Sequence, residues 1–209
     1  MMKIIICLLL CLITSCANVK KPSLAVQKNN QAVELAMRYS SDSDSLNKVI
    51  SLLDEAIAID PSYELAYDNI VQYLIAQGDM EKALETILQL EKLGTHEKDP
   101  VLFLGKGMLL EANDKSELAS KAYKQAASLF EARIKEKPVE IDLMNYFVVL
   151  YLRDNKKYSL DEFEKKYPNI FQDVTKEFRI GIVNTINNNS RKDIIYELLG
   201  CRNDDHINH

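Results

Sequence analysis

From about residue 31 onward, apolar side chains return every three or four positions, the spacing that keeps them on one face of a helix. A longer period lies over the first. Val49, Ala83 and Ala119 stand 34 and 36 residues apart. Four residues after each comes a larger side chain, Leu53, Ile87 or Tyr123, and three further on comes Ala56, Leu90 or Ala126. Twelve residues before each stand Met37, Val71 and Gly107. The clearest copy reads Tyr67-x-x-Ile70-Val71-x-x-Leu74, then Gly78, then Ala83; the next reads Phe103-x-x-Lys106-Gly107-x-x-Leu110, then Ala119 and Tyr123. Such a double period predicts stacked pairs of antiparallel helices, each pair closing its apolar face against the next.

These residues resemble the tetratricopeptide repeat, which carries an aromatic, an aliphatic-small pair and an aromatic on helix A, a small residue and an aromatic on helix B, and a closing Pro. The small residue lets helix B approach helix A, the large neighbours fill the flanks, and the Pro stops B before the next A. The second copy is led in by Ala56-Ile57-Ala58-Ile59-Asp60-Pro61 and turns between its helices at Gln77-Gly78-Asp79. The first copy is degenerate in helix A, with Val33, Ala36, Met37 and Ser40 at the signature places and a Ser/Asp-rich turn over 39–45. In the third, helix B runs on from Ser116 to Lys137 and stops at Pro138. A divergent fourth copy repeats the spacing at Val148, Tyr151 and Leu160, with Asn155 near its turn and Tyr167 where a smaller side chain is expected. Capping helices are expected over Ile170 to Asn187 and Ser190 to Leu199, with Gly200 as the stop.

The beginning of the chain follows another rule. Lys3 precedes an apolar run from Ile4 to Ile13, too short for a bilayer core that needs about 20 residues but suited to an export signal. Ile13-Thr14-Ser15-Cys16 resembles a bacterial lipobox, which implies cleavage before Cys16, acylation of its thiol and amino terminus, and stable anchoring by two or three chains. Ala17 and Asn18 leave no Asp beside the Cys, which in a two-membrane envelope resembles the default for the outer membrane, facing the periplasm. Cys201 would then be the last thiol of the mature chain, leaving no intramolecular disulfide. The expected organisation is a signal peptide over 1–15, the lipidated Cys and a polar tether over 16–30, tetratricopeptide-like repeats over 31–137, the divergent repeat and caps over 138–200, and a frayed tail over 201–209.

Composition narrows the function. The 209 residues carry 26 basic and 31 acidic side chains, a formal charge of −5, so the chain has no general cationic excess for nucleic acid. The absence of Trp and the few Gly and Pro suit an all-α chain. No Gly-rich phosphate loop, GxSxG, HExxH or CxxC motif occurs, so neither catalytic residues nor a cofactor or small-molecule substrate is expected. His96 stands alone in a loop, and Cys201, Asp204, Asp205, His206 and His209 have ligand chemistry but sit in a tail that does not pre-organise a metal site.

What remains is the inner, helix A side of the stack, where repeats of this kind seat peptides. There the second copy offers Leu65, Asp68, Gln72 and Ile75, and the third Val101, Leu104, Met108 and Glu111. The scarcity of Lys, Asn and Arg argues against a clamp for a C-terminal carboxylate; an apolar stripe with Met and a few acids suits an amphipathic helix or an apolar extended segment. Ile75, Leu104 and Met108 are either part of that seat or covered by the C-terminal helices. The expected function is a non-enzymatic, membrane-anchored scaffold of envelope, secretion or pilus assembly; the alternative is an adaptor recruiting a periplasmic protease or wall hydrolase.

Overall fold

A computed structural model describes residues 22–39, 43–157, 159–166 and 175–200. The segment expected to be an export signal, Cys16, Tyr167 and the tail cluster from Cys201 to His209 lie outside the described residues. Among the described residues ten helices follow in order: α1 Leu24–Tyr39, α2 Ser43–Ile59, α3 Glu64–Gln77, α4 Met80–Lys92, α5 Pro100–Ala112, α6 Ser116–Glu136, α7 Glu140–Asp154, α8 Leu160–Lys166, α9 Lys176–Asn188 and α10 Arg191–Leu199. No strand occurs among the described residues.

Each helix from α1 to α7 packs on the next, so the chain is an all-helical series of consecutive packed pairs. Local chemistry sets the breaks. Gly78, at φ 84°, ends α3 in the left-handed conformation a glycine adopts without strain, and Asp79 caps α4 by accepting from Lys82 N. Pro100 opens α5 behind Asp99, whose side chain accepts from Val101 N. Helix α6 runs past the usual repeat length and stops before Pro138. Ser190 and Asp193 form a reciprocal capping box on α10, and Gly200 closes it.

Two bridges fix how neighbouring pairs lie. Asn69 donates to Asn29 Oδ1 at 2.8 Å, joining α3 to α1, while Lys82 reaches Asp54 at 2.9 Å, joining α4 to α2. First helices therefore neighbour first helices, and second helices neighbour second helices. The signature residues fill the space between: Tyr67, Ile70, Leu74, Ala83, Leu90, Phe103, Ala119, Tyr123 and Ala126 are all buried in one core. Tyr67 also donates to the Pro61 carbonyl at 3.1 Å, which holds the aromatic against the turn ahead of its helix. Helices α5 and α6 approach closely, for a Cβ on Gly107 would lie 2.4 Å from the Tyr123 ring.

The N-terminal end departs from the sequence reading. The tether expected through residue 30 gives way at Leu24, where α1 already begins. Its buried face is Ala25, Asn29, Ala32 and Ala36, and Met37 is 82% exposed rather than in a signature core position. One step along a helix turns a side chain by about 100°, so a face centred on Ala36 carries Met37 away from the core. Towards the C-terminus Val148 and Tyr151 are buried, and Asn155 takes the left-handed conformation that ends α7. The single helix expected from Ile170 is described only from Lys176 onward.

Candidate functional site

The anticipated stripe on α3 and α5 divides. Leu65, Asp68, Gln72 and Val101 are exposed, whereas Ile75, Leu104 and Met108 are core residues at 4 to 6% exposure and are not presented to a partner. Two reasons account for this. Ile75 is ten residues beyond Leu65, a rotation of about 80° away from the face on which Leu65 stands. Met108 and Glu111 lie some 10–15 Å further along α5 than Val101, at the end where α10 packs on it.

Glu111 belongs to that packing. Arg191 from α10 grips it with two bonds, Nε to Oε1 at 2.5 Å and Nη2 to Oε2 at 2.8 Å. Arg191 Nη2 also donates to the Leu152 carbonyl at 2.8 Å, and the guanidinium lies 5.9 Å from the ring centres of both Tyr123 and Tyr151. The Tyr123 hydroxyl donates to Glu111 Oε2 at 3.0 Å. Burial above all, and then the Glu111 carboxylate, pushes the Tyr123 phenol far above its ordinary range, so it stays a donor. One ion pair thus joins α5, α6, α7 and α10, and the recess of about 300 Å³ beside it is lined by groups already in this network or next to it, among them Ser120 and Asn155. Its role is structural.

The open apolar surface lies at the other end. Asn29, Asn30, Val33, Glu34 and Met37 of α1 face Leu65 and Asn69 of α3 across a shallow hollow of about 430 Å³ with a mainly apolar lining. Its floor is held by the Asn69 to Asn29 bond, with Asn29 itself buried, and its walls are the exposed side chains of Met37 and Leu65. Of the residues expected from sequence to bind a partner, only Leu65 lines this hollow. The repeat register carried into α1 unchanged places Val33 and Met37 in the core; the alanines at 25, 32 and 36 mark the face that is buried instead.

His96 is not alone in its loop. Its Nε2 lies 3.0 Å from Glu64 Oε2, though out of line for a hydrogen bond, and its Nδ1 lies 3.9 Å from Asp99 Oδ2. Asp68 stands among the same charges. Partial burial is the main cause that raises its carboxyl above the usual range; His96 opposes the rise, and Asp99 and Glu64 add to it. Among the described residues no group of His, Cys, Asp and Glu is arranged to hold a metal. None of their helices is long and apolar enough to cross a membrane. No family model, curated protein or solved structure matches this chain.

Proposed function

We propose that this chain is a tetratricopeptide-type scaffold, anchored in a bacterial cell envelope through acylated Cys16, that seats a partner protein on the face shared by α1 and α3. The observation that carries the binding role is the pair of long apolar side chains, Met37 and Leu65, left 82% and 50% exposed around a hollow whose floor is rigidly paired. Buried side chains of that size contribute about 1.5–3 kcal/mol each, so their covering is a natural source of affinity. The three sequence registers and the packed consecutive pairs support the repeat type, and the order of Lys3, apolar run and Cys16 supports the anchor.

Site-specific photo-crosslinking in intact cells tests both parts. A photoreactive side chain at position 37 or 65 should give the same discrete adduct, and one at the exposed Glu85 of α4 should not. Cys16→Ser should abolish incorporation of labelled fatty acid. Adducts of equal yield from 85 would remove the α1/α3 face as the seat, and retained acyl label would remove the anchor.

A further inference from the structure

Beside the hollow the surface changes sign. Asp68 stands one turn along α3 from Leu65, exposed, and makes no hydrogen bond or ion pair with the described residues. Glu64 and Asp99 lie close by. The cations there are already shared: His96 lies against Glu64 and Asp99, and Arg133, 3.9 Å from Asp99, is committed to Asp142 by bonds of 2.9 and 2.5 Å. Even a protonated His96 leaves three carboxylates around one imidazolium and the edge of a spoken-for guanidinium. On the opposite wall Glu34 is matched by Arg38. The hollow is therefore apolar in the middle, neutral on the α1 side and negative on the α3 side.

We propose that the segment seated here carries a lysine or arginine about one helical turn from a bulky aliphatic or aromatic side chain. The apolar group fills the hollow between Val33, Met37 and Leu65, and the cation meets Asp68. This rests on the α1/α3 seat argued above and adds the chemistry of its occupant. The spacing follows from α3 itself, where side chains three apart lie about 5–6 Å from each other. The charge follows from complementarity: a carboxylate that has lost part of its hydration without gaining a partner is stabilised by an arriving cation, and the same three acids repel an acidic segment or an anionic bilayer.

The test is a selection of random twelve-residue peptides on the full chain, with affinities of the enriched peptides then measured by fluorescence anisotropy. Enriched peptides should share Lys or Arg three or four residues from a large apolar residue. Asp68→Lys should weaken them at least tenfold with no loss of melting temperature, Asp68→Asn should weaken them less, and reselection on Asp68→Lys should enrich Asp or Glu at the same place. Peptides that depend on Met37 and Leu65 but bind both position 68 variants as before would overturn the cation while leaving the seat intact. No enrichment at all would overturn the seat as well. A dimer of the full chain, dissociated by Met37→Asp in sedimentation, would assign the face to a second copy and overturn the inference.

Discussion

Gly107 is the residue at which the repeat pattern becomes a distance. In a helix interior Gly costs about 1 kcal/mol relative to Ala, so an exposed Gly107→Ala would be expected to stabilise. Here the added methyl meets the Tyr123 ring at 2.4 Å, and the ring cannot swing aside because its hydroxyl is bonded to Glu111 and Arg191 lies over its face. Overpacking of this kind costs about 1–3 kcal/mol, which outweighs the propensity gain. Gly107→Ala should lower stability in urea titrations, and in a Tyr123→Ala background the same change should become neutral or favourable. A Gly107→Ala chain more stable than the parent by the full propensity gain of about 1 kcal/mol would show that α5 and α6 do not touch there. Asp68 gives a second test at this scale, through pH. Its carboxyl titrates above its unfolded value, chiefly through partial burial, so the folded chain holds that proton more tightly than the unfolded one. That contribution is present below the unfolded pKa of about 3.9 and is lost as pH rises through the folded value. Melting temperatures of Asp68→Asn and the parent should therefore converge near pH 3 and separate by pH 7, with the Asn protein the more stable; the reverse order at pH 7 would mean that Asp68 is stabilised by an ion pair.

At the scale of elements, what the sequence disclosed depended on how local the signal was. The break at Gly78, the length of α6 up to Pro138, and α10 with its Ser190 cap and Gly200 stop rest on neighbouring residues, and they stand where the pattern placed them. The first half of helix α1 is not legible because the polar run Gln27-Lys28-Asn29-Asn30-Gln31 crosses it and its buried face is made of small side chains, which give no strong aliphatic period. The proposed face was legible at Leu65 and Asp68 and not on α1, since Met37 reaches it through a change of register, while Glu111 is withdrawn by Arg191, a partner 80 residues away. That bond has its own consequence. With both side chains mostly covered, Arg191→Ala leaves a partly buried carboxylate with only the Tyr123 hydroxyl, a loss of about 1–3 kcal/mol. Hydrogen exchange should accelerate in α10 first, and Arg191→Lys, which keeps the charge but not the fork, should recover only part of the protection. Unaltered exchange in α10 would show that its other contacts hold it without the ion pair.

Over the whole molecule, a series of helices that each touch mainly their neighbours has a stability that is a sum of local terms, so its ends need not unfold with its middle. The local terms here are unequal. Helix α5 buries Leu102, Phe103, Leu104, Met108, Leu109 and Leu110, each contributing about 1.5–3 kcal/mol of transfer free energy, whereas α1 buries three alanines and Asn29. The α1 end, which forms one wall of the open hollow, thus has less to lose by opening than the α5 region. Native-state hydrogen exchange should therefore show α1 exchanging through openings several kcal/mol cheaper than those that expose α5 and α6. A partner bound across α1 and α3 would close that gap, because occupancy at a hundred times Kd adds about 2.7 kcal/mol to any state that must release it. Uniform protection from α1 to α7 would instead mean that the stack opens as one cooperative unit, and the hollow would then be as rigid without its occupant as with it.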